Sequence, residues 1–385
     1  MTFFYRRPER RVRPRTLASA RPRQPVQLQV ERLEDRDVPA QVFAITAPAG
    51  GLQNLITFDT STPGAVNTVG VVTGTGAGET VVGMDIRPSN GLTYIVTSAG
   101  GTGRLYTLNP ATAVAARVGA GVFPMLGTAF GVDVNPVPDA LRIVSNIGLN
   151  LRVNLNTGNL INNDTTLSYA ATDPGAGSTP NLVASGYTNN MAGATATVLY
   201  GIDSARDQLV VQGSAATGGP NGGVLFSQGA LGFDTTDQVS LDIQASNMAF
   251  ASLTSTAAGT TNSTLVTIDL TSGRATTVGT IGNATTGLIQ AMAVVPANIT
   301  NPNLNQLVIA NLQAVFAQPL PPQIALAVIT RIADVNGDGF ADVTAFIGIR
   351  VIIRGRRAIQ LFSLTFDGVS PSGGLIGTPV MVGII

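Results

Sequence analysis

The chain contains no cysteine, no histidine, no tryptophan and no lysine. Each absence closes a branch of chemistry. Without cysteine there is no disulfide and no thiolate nucleophile, and without cysteine and histidine together there is no ordinary zinc site. Without histidine there is no Ser-His-Asp triad and no imidazole acid or base. Without lysine there is no Walker-type phosphate loop and no Schiff base. All 22 basic residues are therefore arginine, a bias that a GC-rich genome produces with no functional cause. Charged residues are scarce, at 11%. No apolar run reaches the roughly 18 residues of a membrane-spanning helix. The longest apolar region, 307–335, is broken by Asn311, Gln313, Gln318, three prolines and Arg331.

What is present is a repeat of about 50 residues, the kind of period that marks solenoids, propellers and arrays. Five segments carry a small-apolar-polar-apolar pattern: Gly83 to Pro88, Gly131 to Pro136, Gly186 to Asn190, Ser240 to Ala245 and Ala291 to Pro296. A second apolar run follows each of the first four, as in Leu92 to Val96 and Leu141 to Val144, and then a third, as in Leu105 to Asn109. Turns such as Asn156-Thr157-Gly158 lead to a short fourth run. Runs of this length separated by turn residues read as antiparallel strands, and four per unit make a propeller blade. The repeat region opens on Gln41 to Ile45, a second strand without a first, and closes on Ala291 to Pro296, a first strand without a second. Together they complete one blade. The expected fold is all-β: a propeller of five four-stranded blades with a shared closing blade. Six blades are the fallback if the stretch between Gly213 and Ser240 holds further strands.

Boundaries follow from composition. Residues 1–40 hold eight arginines and one glutamate in the first 23 positions, interleaved with proline, and cannot bury enough apolar surface to fold alone. The segment ends in Leu33-Glu34-Asp35-Arg36, which resembles the Leu-Glu-x-Arg motif after a basic stretch in many large secreted bacterial surface proteins. That resemblance implies export to the cell surface or the extracellular space. A flexible arm of a cytoplasmic protein is the plain alternative. Residues 41–297 are the propeller, 298–322 a Pro- and Asn-rich linker, and 323–385 a small β-rich domain.

Several stretches in the propeller are similar to the bacterial domain of unknown function 4394. They are Gly78 to Pro88, Phe130 to Pro136 with Asp139, Arg142 and Val144, Asn150-Leu151-Arg152, and Tyr187 to Asn190 with Leu199 to Asp203. The resemblance implies a propeller-like, often exported module with no assigned activity. It brings no catalytic residue with it.

Three places can carry chemistry. The first is Asp334-Val335-Asn336-Gly337-Asp338-Gly339-Phe340-Ala341-Asp342. Side-chain oxygens at positions 1, 3, 5 and 9 and a peptide oxygen at position 7 wrap a loop around one Ca²⁺. Position 12 is Ala345 rather than the glutamate of an EF-hand, and both flanks read as strands. The loop resembles those of FG-GAP-type repeats. The expected structural calcium ligands are Asp334, Asn336, Asp338 and Asp342 with the Phe340 carbonyl. A metal-free hairpin turn is the plain alternative.

The second place is the equivalent polar position of the repeat: Asp85, Asp133, Thr188 and Asp242, with Ala293 at the fifth. On innermost strands these side chains face a shared channel. They can bind a cation or a hydroxylated ligand, serve as the carboxylates of a glycan or polyol hydrolase, or simply cap backbone amides or pair with Arg87, Arg142 or Arg152. The absence of tryptophan and the presence of one glutamate in the propeller, Glu79, weigh against sugar cleavage, which calls for an acid and aromatic platforms.

The third place is Arg350, Arg354, Arg356 and Arg357 around Gly355. Nucleic-acid binding calls for a basic domain with interleaved aromatics. A solvated hairpin face fits better. The leading functional expectation is a monomeric, non-enzymatic, exported interaction or structural protein with a protein or glycan ligand. The hydrolase is the alternative and nucleic-acid binding a weaker one.

Overall fold

The structure is a computed structural model. It describes residues 40–296 and the backbone of strand residues 324–333, 342–353, 356–366 and 380–384. The expected basic arm, apart from Ala40, and the expected linker lie outside the described residues.

Five sheets form a five-bladed β-propeller. The first holds β1 (Gln41–Thr46), β2 (Asn54–Asp59) and β3 (Asn67–Val71). The second holds β4 (Thr80–Ile86), β5 (Thr93–Ala99), β6 (Thr102–Asn109) and β7 (Val114–Arg117), with the two-residue β8 (Phe123–Pro124) beside β6. The third is β9 (Phe130–Asn135), β10 (Ala140–Ser145), β11 (Asn150–Asn154) and β12 (Leu160–Asn163). In the fourth, β13 (Ser168–Tyr169) lies outside β14 (Leu182–Tyr187), β15 (Leu199–Asp203), β16 (Gln208–Gln212) and β17 (Val224–Ala230). The fifth is β18 (Thr235–Ile243), β19 (Ala249–Ser255), β20 (Thr264–Ile268) and β21 (Ala275–Thr280).

β22 (Ile289–Val294) then returns to the first sheet and pairs antiparallel with β1, placing Ala293 opposite Phe43 and Ala291 opposite Ile45. This is the closure that the two incomplete repeat units imply: β22 covers the edge that β1 would otherwise leave open and becomes the innermost strand of the first blade. The segment between Gly213 and Ser240 supplies two short 3₁₀ turns, β17 and the start of β18, so there is no sixth blade among the described residues.

Strand alternation explains why the chain reads as nearly continuous apolar runs. Val42 and Ala44 of β1 pack with Phe250 and Leu265 of the fifth blade, while Phe43 and Ile45 pack with Met84, Ile86 and Ile95 of the second. Both faces of each blade are buried, so both parities must be apolar. The outermost strands escape this demand, and β12 is exposed at all four positions.

The innermost strands meet on the axis, where side-chain size is limited. Gly83, Gly131, Ala184, Ser240 and Ala291 share one level, each opposite an equivalent residue of its second strand. A Cβ on Gly83 would stand 2.2 Å from Val132 Cγ2, and one on Gly131 would stand 2.6 Å from the Ala184 carbonyl carbon. Glycine at these two positions is what permits the approach.

The C-terminal part forms a four-stranded antiparallel sheet in chain order: β23 (Ile324–Ala333), β24 (Asp342–Ile353), β25 (Arg356–Phe366) and β26 (Val380–Ile384). Ala333 pairs with Asp342, so residues 334–341 connect two antiparallel strands.

Candidate functional site

Two residues along each inner strand from the level of small side chains, three carboxylates converge. Asp85, Asp133 and Asp242 come from β4, β9 and β18, and one oxygen from each lies within 4.8 Å of the others. They are 2%, 1% and 2% exposed. The local cause is the edge of the inner strand. A strand at the axis spends one edge on its own blade, and amides on the other edge have no ladder partner. Asp85 Oδ2 accepts the amide of Val134 in the next blade at 2.7 Å, and its Oδ1 accepts the amide of Ile86 at 2.6 Å. Asp133 Oδ1 accepts the amide of Tyr187 at 3.2 Å, and Asp242 Oδ2 accepts that of Val294 at 2.6 Å. Each aspartate thus stitches its blade to the following one.

The site is short of compensation for its charge. Asp242 Oδ1 is buried without a hydrogen bond of normal geometry. Burial pushes Asp85 well above the usual carboxylate range, the charge of Asp242 adds to this, and the Val134 and Ile86 amides pull it back only in part. Burial and then the charges of Asp85 and Asp242 do the same to Asp133. Burial raises Asp242 to about 6 against the pull of neighbouring amides. Like charges this close in a dry site cannot all ionise unaided.

The arginines that sequence reasoning offers as partners are engaged elsewhere. Arg87 binds Asp139 of the third blade, Tyr94 and Asn156. Arg142, 1% exposed, donates to Asp164, Asn150, Asn221 and Tyr187, and Arg152 donates to the same Asp164. Asp164 and Asn221 carry no sequence signal for this role, since Asp164 follows the end of β12 and Asn221 sits in a 3₁₀ turn, 22 and 79 residues from Arg142 in the chain. Glu79 is likewise committed. Burial raises it, but bonds from Thr97 and Tyr106 and the charge of Arg104 outweigh this and hold it below its ordinary value.

Thr188 does not join the three aspartates. Strand register places Gly186 opposite Tyr200, just as Asp85 stands opposite Tyr94 and Asp133 opposite Arg142. Gly186 therefore holds the fourth inner position, and Ala293, opposite Phe43, the fifth. Thr188 follows the end of β14, where its hydroxyl accepts the Val198 amide at 2.8 Å within its own blade.

Below the aspartates the axis holds a cavity with room of about 10 Å³ for a water-sized sphere, lined by Gly83, Gly131, Ala184, Ser185 and Ser240 among others. That is about the space of one water molecule. Met84, Val132 and Leu241, each next to one of the aspartates in sequence, also line it. The buried hydroxyl of Ser185 has no hydrogen-bond partner.

Of the expected calcium ligands, Asp334, Asn336, Asp338 and Phe340 lie outside the described residues, and Asp342 begins β24. Arg350 falls in β24, Arg356 and Arg357 open β25, and Arg354 lies outside the described residues. Among the described residues no helix is long and apolar enough to cross a membrane.

The model of the family described as a domain of unknown function (DUF4394) matches residues 54–293. No curated protein matches the chain. Solved structures with some likeness include TolB from Acinetobacter baumannii, at 13% identity over 67% of this chain and 67% of that one, with a TM-score of 0.38. A putative 6-phosphogluconolactonase from Bacteroides fragilis has 12% identity over 91% and 99% of the two chains, with a TM-score of 0.34. BamB from Moraxella catarrhalis has 12% identity over 88% and 82%, with a TM-score of 0.26. No function is carried over from likenesses this distant.

Proposed function

The chain belongs to the DUF4394 family, and from that premise we propose that it is an exported or cell-surface interaction protein whose propeller binds through its loops rather than through its axis. The observation that carries this reading is the size of the axial cavity, about 10 Å³. A sugar ring cannot enter such a space. The inner strands leave the ring end on which Leu92, Val137, Met191 and Val198 are exposed, in the connections from inner to second strands. Aliphatic side chains of this kind, without tryptophan, suit a protein ligand better than a glycan. The basic arm directs export, and the loop at 334–342 holds a structural calcium ion in the tail.

The hydrolase reading through Asp85, Asp133 and Asp242 fares worse. Retaining and inverting glycosidases keep their carboxyl groups about 5–10 Å apart with the sugar between them. Here the oxygens lie within 4.8 Å and each aspartate accepts a backbone amide. Nucleic-acid binding through the arginine clusters predicts affinity that falls steeply with salt.

The test is fractionation of native cells that carry an epitope-tagged chain, with protease added to intact cells. The tagged chain is expected in the surface or extracellular fraction and open to protease. Removal of residues 1–40 is expected to retain it inside. A chain found only in the cytosol and shielded from protease overturns the proposal.

A further inference from the structure

We propose that Asp85, Asp133 and Asp242 form a binding site for one calcium-class divalent cation on the propeller axis, distinct from the loop in the tail. The donors are all hard oxygens, and the chain has no histidine or cysteine to favour a softer metal. Among hard ions, magnesium demands near-ideal octahedral geometry and gives up its waters reluctantly, whereas calcium accepts flexible sets of oxygens, so a dry cluster of carboxylates suits calcium better. The three oxygens lie within 4.8 Å of one another.

Two observations besides the acidic cluster point to an ion. Asp242 Oδ1 is fully buried and has no hydrogen-bond partner of normal geometry, so it can turn a lone pair to an ion. One level along the axis, a cavity with room for one water is lined by Ser185, whose buried hydroxyl is a second polar group left without a partner near the axis. The remaining acceptors are already oriented. Asp85, Asp133 and Asp242 are held by the amides of Val134, Tyr187 and Val294, so little side-chain freedom is lost on binding. A divalent ion takes the place of up to two protons, and the amides face the charge that is left.

The site would bind all five blades at one point. β4, β9 and β18 supply ligands, and β14 and β22 are attached through the amides of Tyr187 and Val294. No single blade contains the site, so it exists only in the closed ring.

The test uses the full chain carrying Asp334→Ala and Asp338→Ala, which disables the tail loop. Titration calorimetry with CaCl₂ at pH 7.5 is expected to show one further equivalent bound, with a heat that depends on the buffer because protons are released. MgCl₂ is expected to bind at least tenfold more weakly. Calcium at a hundred times its dissociation constant is expected to raise the melting temperature by about 5–10 °C. Adding Asp242→Asn should abolish both effects. Its amide oxygen can still accept the Val294 amide, and in chelator this variant should melt at or above the parent's temperature. If it fails to fold, Asp133→Asn serves in its place. Absence of binding in the tail-loop variant overturns the site, as does binding that survives the asparagine substitution. Neither result bears on export.

Discussion

Asp242 Oδ2 accepts the amide of Val294 at 2.6 Å across the seam where the last propeller strand comes back to the first blade. The same bond recurs between Asp85 and Val134 and between Asp133 and Tyr187. The repeat therefore delivers two things from one residue. It staples adjacent blades, and it gathers charge at the axis. These roles conflict in a dry interior, and the conflict is expected to make the stability of the ring depend on pH.

Without a cation, the ring should lose stability as pH rises. Asp242 titrates near 6 in the folded chain, against about 3.9 for an unfolded aspartate. The folded state then holds more protons, so this contribution is complete below about pH 4 and disappears as pH passes through 6. Asp242 alone accounts for roughly 3 kcal/mol; Asp85 and Asp133, also raised well above the usual carboxylate range, act in the same direction. Asp139 and Asp164, whose values are lowered, are already ionised there. Urea midpoints in chelator at pH 5 and pH 8 check this, and a flat or rising profile refutes it.

Asp242→Asn should flatten the same profile while keeping the staple. Its midpoint at pH 8 in chelator is expected to match or exceed that of the parent, because a buried charge is removed and the acceptor for Val294 is kept. A loss of more than about 2 kcal/mol, beyond the usual cost of one hydrogen bond, would contradict the account given of this residue.

Arg142→Met tests the second buried network. The guanidinium is 1% exposed at its side chain and anchors Asp164, itself 2% exposed. Its removal leaves the buried Asn150 oxygen with fewer donors and takes one donor from Asn221. A cost of about 3 kcal/mol is expected, since Arg152 still neutralises Asp164. Chemical denaturation gives the number.

Gly131→Ala should destabilise through the backbone of the neighbouring blade. The new Cβ would lie 2.6 Å from the Ala184 carbonyl carbon and 2.7 Å from the Ser185 nitrogen. Neither is the end of a flexible side chain, so strands must part, at about 1–3 kcal/mol. A melt indistinguishable from the parent's would show that the blades yield freely.

In the tail, chelator and Asp338→Ala should each lower the melting temperature of the C-terminal sheet. An unchanged melt in both removes residues 334–342 from consideration as a calcium loop.

Much of the propeller was legible because both faces of each blade are buried, so each strand announces itself as an apolar run. The closing strand was legible for a topological reason: a ring leaves its first and last units incomplete in complementary ways, as Gln41 to Ile45 and Ala291 to Pro296 do. The three aspartates stood out as recurring polar residues in those runs. Thr188 was misplaced because strands repeat every two residues. A slip from Gly186 to Thr188 keeps every side chain on the same face, so alternation cannot detect it; only the pairing of Gly186 with Tyr200 does. β8 and β13, at two residues each, are too short for any period. The Arg142 network escaped because Asp164 and Asn221 are brought to it by segments outside the strands, where no period marks them.

The closing seam also has a mechanical consequence. β22 runs antiparallel to β1, with Val42 opposite Val294, and the Val295 amide bonds to the Gln41 carbonyl at the very end of the pair. Ala40 and Pro296, at the two described ends of the ring, therefore lie at the same end of the seam. Tension between them pulls on adjacent strand ends and breaks the bonds of the seam one at a time, as a zip opens, rather than loading them together in shear. A ring stretched between its two flanking segments would unlatch there first, at low force, while the other four blades stayed intact.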